Sequence, residues 1–196
     1  ISTAGDSTIG TELQAAFDVL EAEDLTYQKT VISSGLQLFR ELFGYNARCF
    51  VPPNGPFSTS LEEVCYNEGI RYITTPKIHK DPLPGGRKVT RLRWLGKQSN
   101  YGITYLTRNC YFEPSQPGKD WVNSCLSDIS SAFRWNKPAI ISSHRVNYIG
   151  AIHDANRANG LSQLQILLNR IVKNWPGVRF VTSEELGDLI NGKFDV

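Results

Sequence analysis

The chain has 196 residues and a net charge of +2, with 40% hydrophobic, 20% charged and 11% aromatic residues. That balance is too apolar for a disordered chain and sufficient for one well-cored domain. No run of lysine or arginine exceeds a pair and no apolar stretch approaches membrane-spanning length, which excludes the basic footprint of a nucleic-acid binder and a transmembrane helix.

Leu13, Ala16, Phe17 and Leu20 recur at helical spacing, as do Ile32, Leu36, Phe39 and Phe43, and Gly44 stops the second of these helices. A short strand at Arg48–Val51 is ended by Pro52 and Pro53. Ser60 with Glu63 forms a capping box for a helix that buries Leu61, Val64 and Cys65 before Gly69. Arg71–Thr74 reads as the next strand, and residues 76–86, with three prolines and two glycines, read as a loop. Two further strands are expected at Lys88–Trp94 and Ile103–Thr107.

A helix from Trp121 to about Trp135 uses Val122, Cys125, Ile129 and Phe133. Ala139–Ser142 is a short apolar strand suited to cover on both faces. A longer helix places Leu161, Leu164, Leu168, Ile171 and Trp175 on one stripe. Val178–Val181 is the last expected strand, and Thr182 with Glu185 caps a final helix. Strands alternating with helices predict a single α/β domain over 1–196 with a mainly parallel sheet or barrel. Ligands of such folds gather beyond the carboxyl ends of the strands, here at Pro52–Gly55, Thr74–Pro76, Thr107–Asn109 and Ser142–Asn147. The four cysteines, at 49, 65, 110 and 125, form no Cys-x-x-Cys pair and none stands near a histidine at zinc-ligand spacing. They read as buried free thiols.

Three histidines are available. His144 closes an apolar strand, where an imidazole serves equally as a general acid or base or as a backbone-bonding strand cap. His79 falls in the Pro/Gly loop and is expected in solvent, and His153 is expected to begin a helix. Asp120-Trp121 reads either as an N-cap followed by a core-facing tryptophan, or as a carboxylate that orients and charges His144 beside a tryptophan that walls the pocket. Glu113 is a second acidic candidate. Trp94, Tyr101 and Tyr148 are candidates for stacking on sugar rings, although most aromatics in such a chain belong to the core.

In this order the pieces resemble the polysaccharide deacetylase (NodB-homology) family. Its third motif, Phe-Arg-Pro-Pro-Tyr-Gly in form, resembles Phe50-Val51-Pro52-Pro53-Asn54-Gly55. The Asp-Trp that ends its fourth is similar to Asp120-Trp121, and its fifth, a hydrophobic strand ending in histidine, resembles Ile140-Ile141-Ser142-Ser143-His144. The resemblance implies a distorted (β/α) barrel that removes acetyl groups from N- or O-acetylated sugars. His144 would be the general acid and Asp120 its tuning partner, with Pro53, Asn54, Trp121, Arg145 and Asn147 on the substrate side.

The chain departs from the family where its motif arginine is Val51 and its motif tyrosine is Asn54. The Asp-Asp and His-x-x-x-His of the first two motifs do not occur. A divalent metal, zinc foremost, would therefore depend on motifs N-terminal of Ile1, with this chain binding none by itself; a complete chain would be a catalytically silent relative. Two alternatives stand beside the deacetylase: a glycoside hydrolase pairing Glu113 with Asp120, and a sugar-binding relative without catalysis. The expected partner in every case is a carbohydrate.

Overall fold

Asp24 sets the start of the first helix. Its carboxylate accepts from the backbone N–H groups of Leu20 and Glu21 at 2.8 and 2.9 Å, satisfying donors at a helix entry that have no partner in the helix itself. α1 then runs over Ala22–Phe43 and closes on Gly44, whose φ of 76° suits a residue without a Cβ. The computed structural model describes residues 16–53, 55–151 and 153–192. They divide into two compact units, where the sequence reads as one domain: the first comprises the described residues up to Thr107 and from Val181 onward, and the second is Arg108–Phe180.

In the first unit β1 (Cys49–Phe50), β2 (Tyr72–Thr75) and β5 (Thr104–Thr107) form a parallel sheet in the order β1-β2-β5, with α2 (Glu62–Asn67) between the first two strands in sequence. β3 (Ile78–Leu83) and β4 (Arg87–Leu92) make an antiparallel hairpin. The core gathers Phe17, Ile32, Phe57, Leu61, Cys65, Ile70, Ile73, Ile103 and Tyr105, with Phe17 edge-on to Phe50 and Phe57. α5 (Ser183–Ile190) begins with the Thr182–Glu185 capping box expected from the sequence. It is tied to the sheet by Arg48, which bonds Asp188 at 2.8 Å and Glu184 at 2.6 Å.

In the second unit β6 (Cys110–Tyr111) and β7 (Ile141–Ser142) pair in parallel, covered by α3 (Trp121–Arg134) and α4 (Asp154–Asn174). Val122, Cys125, Leu126 and Ile129 of α3 meet Leu167 and Ile171 of α4 over Cys110 and Phe112. The fold is thus mixed α/β with mostly parallel strands. Among the described residues these form three small sheets, and none closes into a barrel. No helix among them is long and apolar enough to cross a membrane. All four cysteines are free thiols, and burial pushes Cys65 and Cys125 up to about 12.

Several expectations are corrected. Residues 16–20 form turns and not a helix, because Phe17 and Val19 are drawn into the core ahead of the Asp24 cap; Leu13 lies outside the described residues. Ser58, rather than Ser60, caps the segment before α2, accepting from the Ser60 N–H at 3.3 Å. No strand forms at 178–181. In α4 the buried stripe runs through Leu167 and Ile171, leaving Leu161 and Leu168 partly in solvent.

The largest miss is 76–86, which contains β3 and not a loop. Its inward positions are His79 and Asp81, both 0% exposed, so polar residues stand where an apolar alternation would have signalled a strand. His79 is therefore enclosed and not in solvent. Its Nε2 lies 2.7 Å from the Phe57 carbonyl and its Nδ1 3.2 Å from the Thr75 hydroxyl. Burial, assisted by the nearby charge of Arg93, pushes its pKa down to about 4. The unfolded chain then binds more protons than the folded one between about pH 6.5 and 4. Stability is full above that window and falls across it as the pH drops, by an amount on the order of 3 kcal/mol. Urea unfolding of wild type and His79→Gln across this range should give a steep decline for the first and a shallower one for the second; identical slopes would reject the assignment.

Candidate active site

Parallel pairing brings two distant loops to one edge. The register that sets Cys110 opposite Ile141 and Tyr111 opposite Ser142 continues one step further, with the Phe112 N–H donating to the Ser142 carbonyl at 2.9 Å. The same offset of 31 positions carries Glu113 to His144. Each residue follows its strand by two positions, so both emerge at the carboxyl ends, where open α/β sheets place their ligands.

The two side chains meet with opposite exposure. The imidazole of His144 is 62% exposed, whereas the Glu113 side chain is only 8% exposed. His144 Nδ1 lies 2.7 Å from Glu113 Oε1, and the His144 backbone N–H donates to Oε2 at 3.3 Å. Facing a carboxylate, Nδ1 is the protonated nitrogen, which leaves the lone pair of the neutral ring on Nε2. Nε2 has no hydrogen-bond partner among the described residues.

Asn147 completes the arrangement from beneath. It lies in the 3-10 turn Arg145–Tyr148 and is 0% exposed. Its Nδ2 donates to Glu113 Oε2 at 2.7 Å and to the His144 carbonyl at 2.8 Å, while its Oδ1 accepts from the Ser115 N–H and hydroxyl at 3.0 and 2.6 Å. These partners fix which end of the amide is which. Asn147 is expected from the sequence as a substrate contact; both polar atoms of its side chain are spent inside the protein.

α4 fastens both loops. Asn159 donates to the Pro114 carbonyl at 3.1 Å, and Asn156 donates to the carbonyls of Val146 and Ile149 at 2.7 and 3.0 Å. Gly160 lets the helix backbone approach the turn: a Cβ there would stand 1.8 Å from the Asn147 carbonyl oxygen.

Asp120 caps α3, accepting from the Asn123 N–H at 2.9 Å and from its side-chain amide. It is exposed, and hydrogen bonding to Asn123 holds its carboxyl below the usual range. The carboxylate that orients the imidazole is Glu113. Trp121 is half-buried against the second core and donates its indole N–H to the Gln116 carbonyl at 2.8 Å, with the Lys119 ammonium 4.2 Å over its ring. Arg145 is exposed beside His144. In the first unit Pro52 is buried and Pro53 exposed immediately after β1, and Asn54 lies outside the described residues.

Both Glu113 oxygens are directed at His144 and Asn147, and Asp120 at Asn123. Among the described residues no group of three or more His, Cys, Asp or Glu side chains stands close enough to hold a metal ion. No family model matches the chain, no curated protein matches it, and no solved structure matches it.

Reasoning from the sequence found His144 and Glu113 separately but missed their partnership and the roles of Asn147, Ser115 and Gly160. The equal spacing of the two residues from their strands was the usable signal. Gly160→Ala should lower stability by about 1–3 kcal/mol, the usual cost of overpacking, and shift the His144 ring resonances in an NMR spectrum. Unchanged resonances would show that the turn is not held by this close approach.

Proposed function

We propose that this protein is a carbohydrate deacetylase-like hydrolase in which Glu113 and His144 act as an acid–base dyad. The observation that carries the reading is the buried carboxylate holding an exposed imidazole, with Nε2 free, at the ends of two parallel strands. The ordered resemblance of Pro52-Pro53-Asn54-Gly55, Asp120-Trp121 and the strand ending in His144 supports the acetylated-sugar substrate. The distorted (β/α) barrel belongs to the same proposal, supported by the parallel pairing of β1 with β2, β2 with β5 and β6 with β7.

The neutral Nε2 takes a proton from water as the water oxygen attacks the acetyl carbonyl carbon. The resulting imidazolium is held by Glu113. As the tetrahedral intermediate collapses, Nε2 returns the proton to the leaving sugar oxygen or nitrogen, and acetate departs. Glu113 and Asn147 fix the ring's orientation, so that no reorganisation accompanies proton transfer.

Acetate release from acetylated chito- and xylo-oligosaccharides, measured enzymatically, tests this directly. His144→Ala should lower kcat/KM by about 100- to 10,000-fold, the range for removing a general acid–base group. Glu113→Gln should lower kcat with little change in KM and alter the pH profile. Full activity in His144→Ala, or no acetate from the wild type on either substrate, would overturn the reading.

A further inference from the structure

The first unit contains a second polar concavity, of about 290 Å³, between the 59–62 segment and the 97–101 loop. Its floor is an ion pair that water scarcely reaches: the Arg93 guanidinium bonds Glu62 Oε1 at 2.8 Å, with side-chain exposures of 2% and 3%. The Tyr105 hydroxyl donates to the same Glu62 oxygen at 2.7 Å, and the guanidinium stacks over the Tyr105 ring at 4.1 Å. Burial pushes the Glu62 carboxyl upward and Arg93 downward, so removal from water works against both charges. Apolar residues would fill such a position at less cost to folding. A bonded pair kept at the base of an open cleft instead supplies fixed, preorganised polarity.

The lining is unbalanced. Arg91, Arg93 and Lys97 contribute three positive charges and Glu62 one negative. Arg91 is also paired with Asp81, which is fully buried and receives the Thr59 N–H and hydroxyl at 3.0 and 2.8 Å. With both carboxylates counted, one positive charge is left over. A singly charged carboxylate neutralises it, whereas a phosphate monoester, near two negative charges at neutral pH, overshoots.

The rest of the lining includes uncharged polar groups. The side-chain amides of Gln98 and Asn100 are exposed and have no hydrogen-bond partner among the described residues, and Tyr101 presents a ring that is 40% exposed. The volume lies at the lower end of the range for small-molecule sites, ~300–1,000 Å³, which suits one sugar ring.

We propose that this cleft binds a single uronic-acid residue, its carboxylate toward Lys97 and Arg91 and its hydroxyls toward Gln98, Asn100 and the Glu62–Arg93 floor. The site is independent of the dyad and adds recognition of an acidic sugar to the first unit.

Isothermal titration calorimetry of the whole chain with D-glucuronate, D-glucose, acetate and inorganic phosphate tests it. Glucuronate should bind saturably, and each of the other three at least tenfold more weakly. Lys97→Gln, which leaves the buried floor intact, should weaken glucuronate at least tenfold. Asn100→Ala, on the exposed loop, should also weaken it, with an unfolding midpoint like that of wild type. His144→Ala should bind glucuronate as wild type does even where acetate release is lost, so the two proposals stand or fall separately. Equal affinity for glucose removes the charge argument, and equal affinity for acetate or phosphate removes the sugar. Glucuronate binding that is absent, or unaltered by both cleft variants, overturns the site.

Discussion

Withdrawing the Glu113 carboxylate from water while leaving the His144 ring in it governs the second unit's site. A buried carboxylate is tolerable only when its oxygens are bonded. Here Oε1 has the imidazole, and Oε2 has the Asn147 amide with the His144 backbone N–H. Those donors sit on the loop after β7, so satisfying Glu113 dictates how that loop turns. The 3-10 turn, the inward amide of Asn147 and the bare backbone of Gly160 beneath it follow from one requirement. The exposed nitrogen is thereby aimed by groups that never leave the interior.

The first unit solves comparable problems with more charge. Arg48 joins α5 to the sheet through Asp188 and Glu184, and Gly187 allows the helix so near Tyr72 that a Cβ would lie 2.4 Å from its ring. Burial and the Asp188 carboxylate beside it push the Tyr72 hydroxyl up to about 12, keeping it a donor. His79 and Asp81 turn the hairpin's inner face into a polar layer over Phe57 and Thr59. Removing one member of such a pair leaves the other buried and uncompensated, at a cost of roughly 3–5 kcal/mol. Geometry here is held by mutual satisfaction of charges as well as by apolar contact.

That difference explains what the sequence disclosed. Where packing is apolar the pattern was legible: α3 on Val122, Cys125 and Ile129, the β2 and β5 strands, and the Thr182–Glu185 cap all stand where periodicity and capping chemistry put them. β3 was hidden because its inward residues are a histidine and an aspartate, and Pro82 and Pro84 imitate a loop. The helix expected over 13–20 failed in its described part because Phe17 packs against Phe50 and Phe57, residues far along the chain that periodicity cannot see. The site divided along the same line. A histidine ending a strand announces itself, but the choice of Glu113 over Asp120 as its partner depends on strand register, a tertiary quantity. Asp120 had a sufficient local occupation as a helix cap, and the structure keeps it there.

What the dyad lacks narrows its chemistry further. A Ser–His–carboxylate nucleophile system requires a hydroxyl within reach of Nε2. The two nearby serines are otherwise engaged: Ser115 donates to Asn147 Oδ1 at 2.6 Å, and Ser143 bonds the Tyr148 hydroxyl at 2.7 Å. Nothing among the described residues bonds Nε2. Water is always present at an imidazole that is 62% exposed. In the hydrolase we propose, an imidazole whose Nε2 meets no hydroxyl among the described residues suits direct hydrolysis by water, with the proton returned to the leaving group.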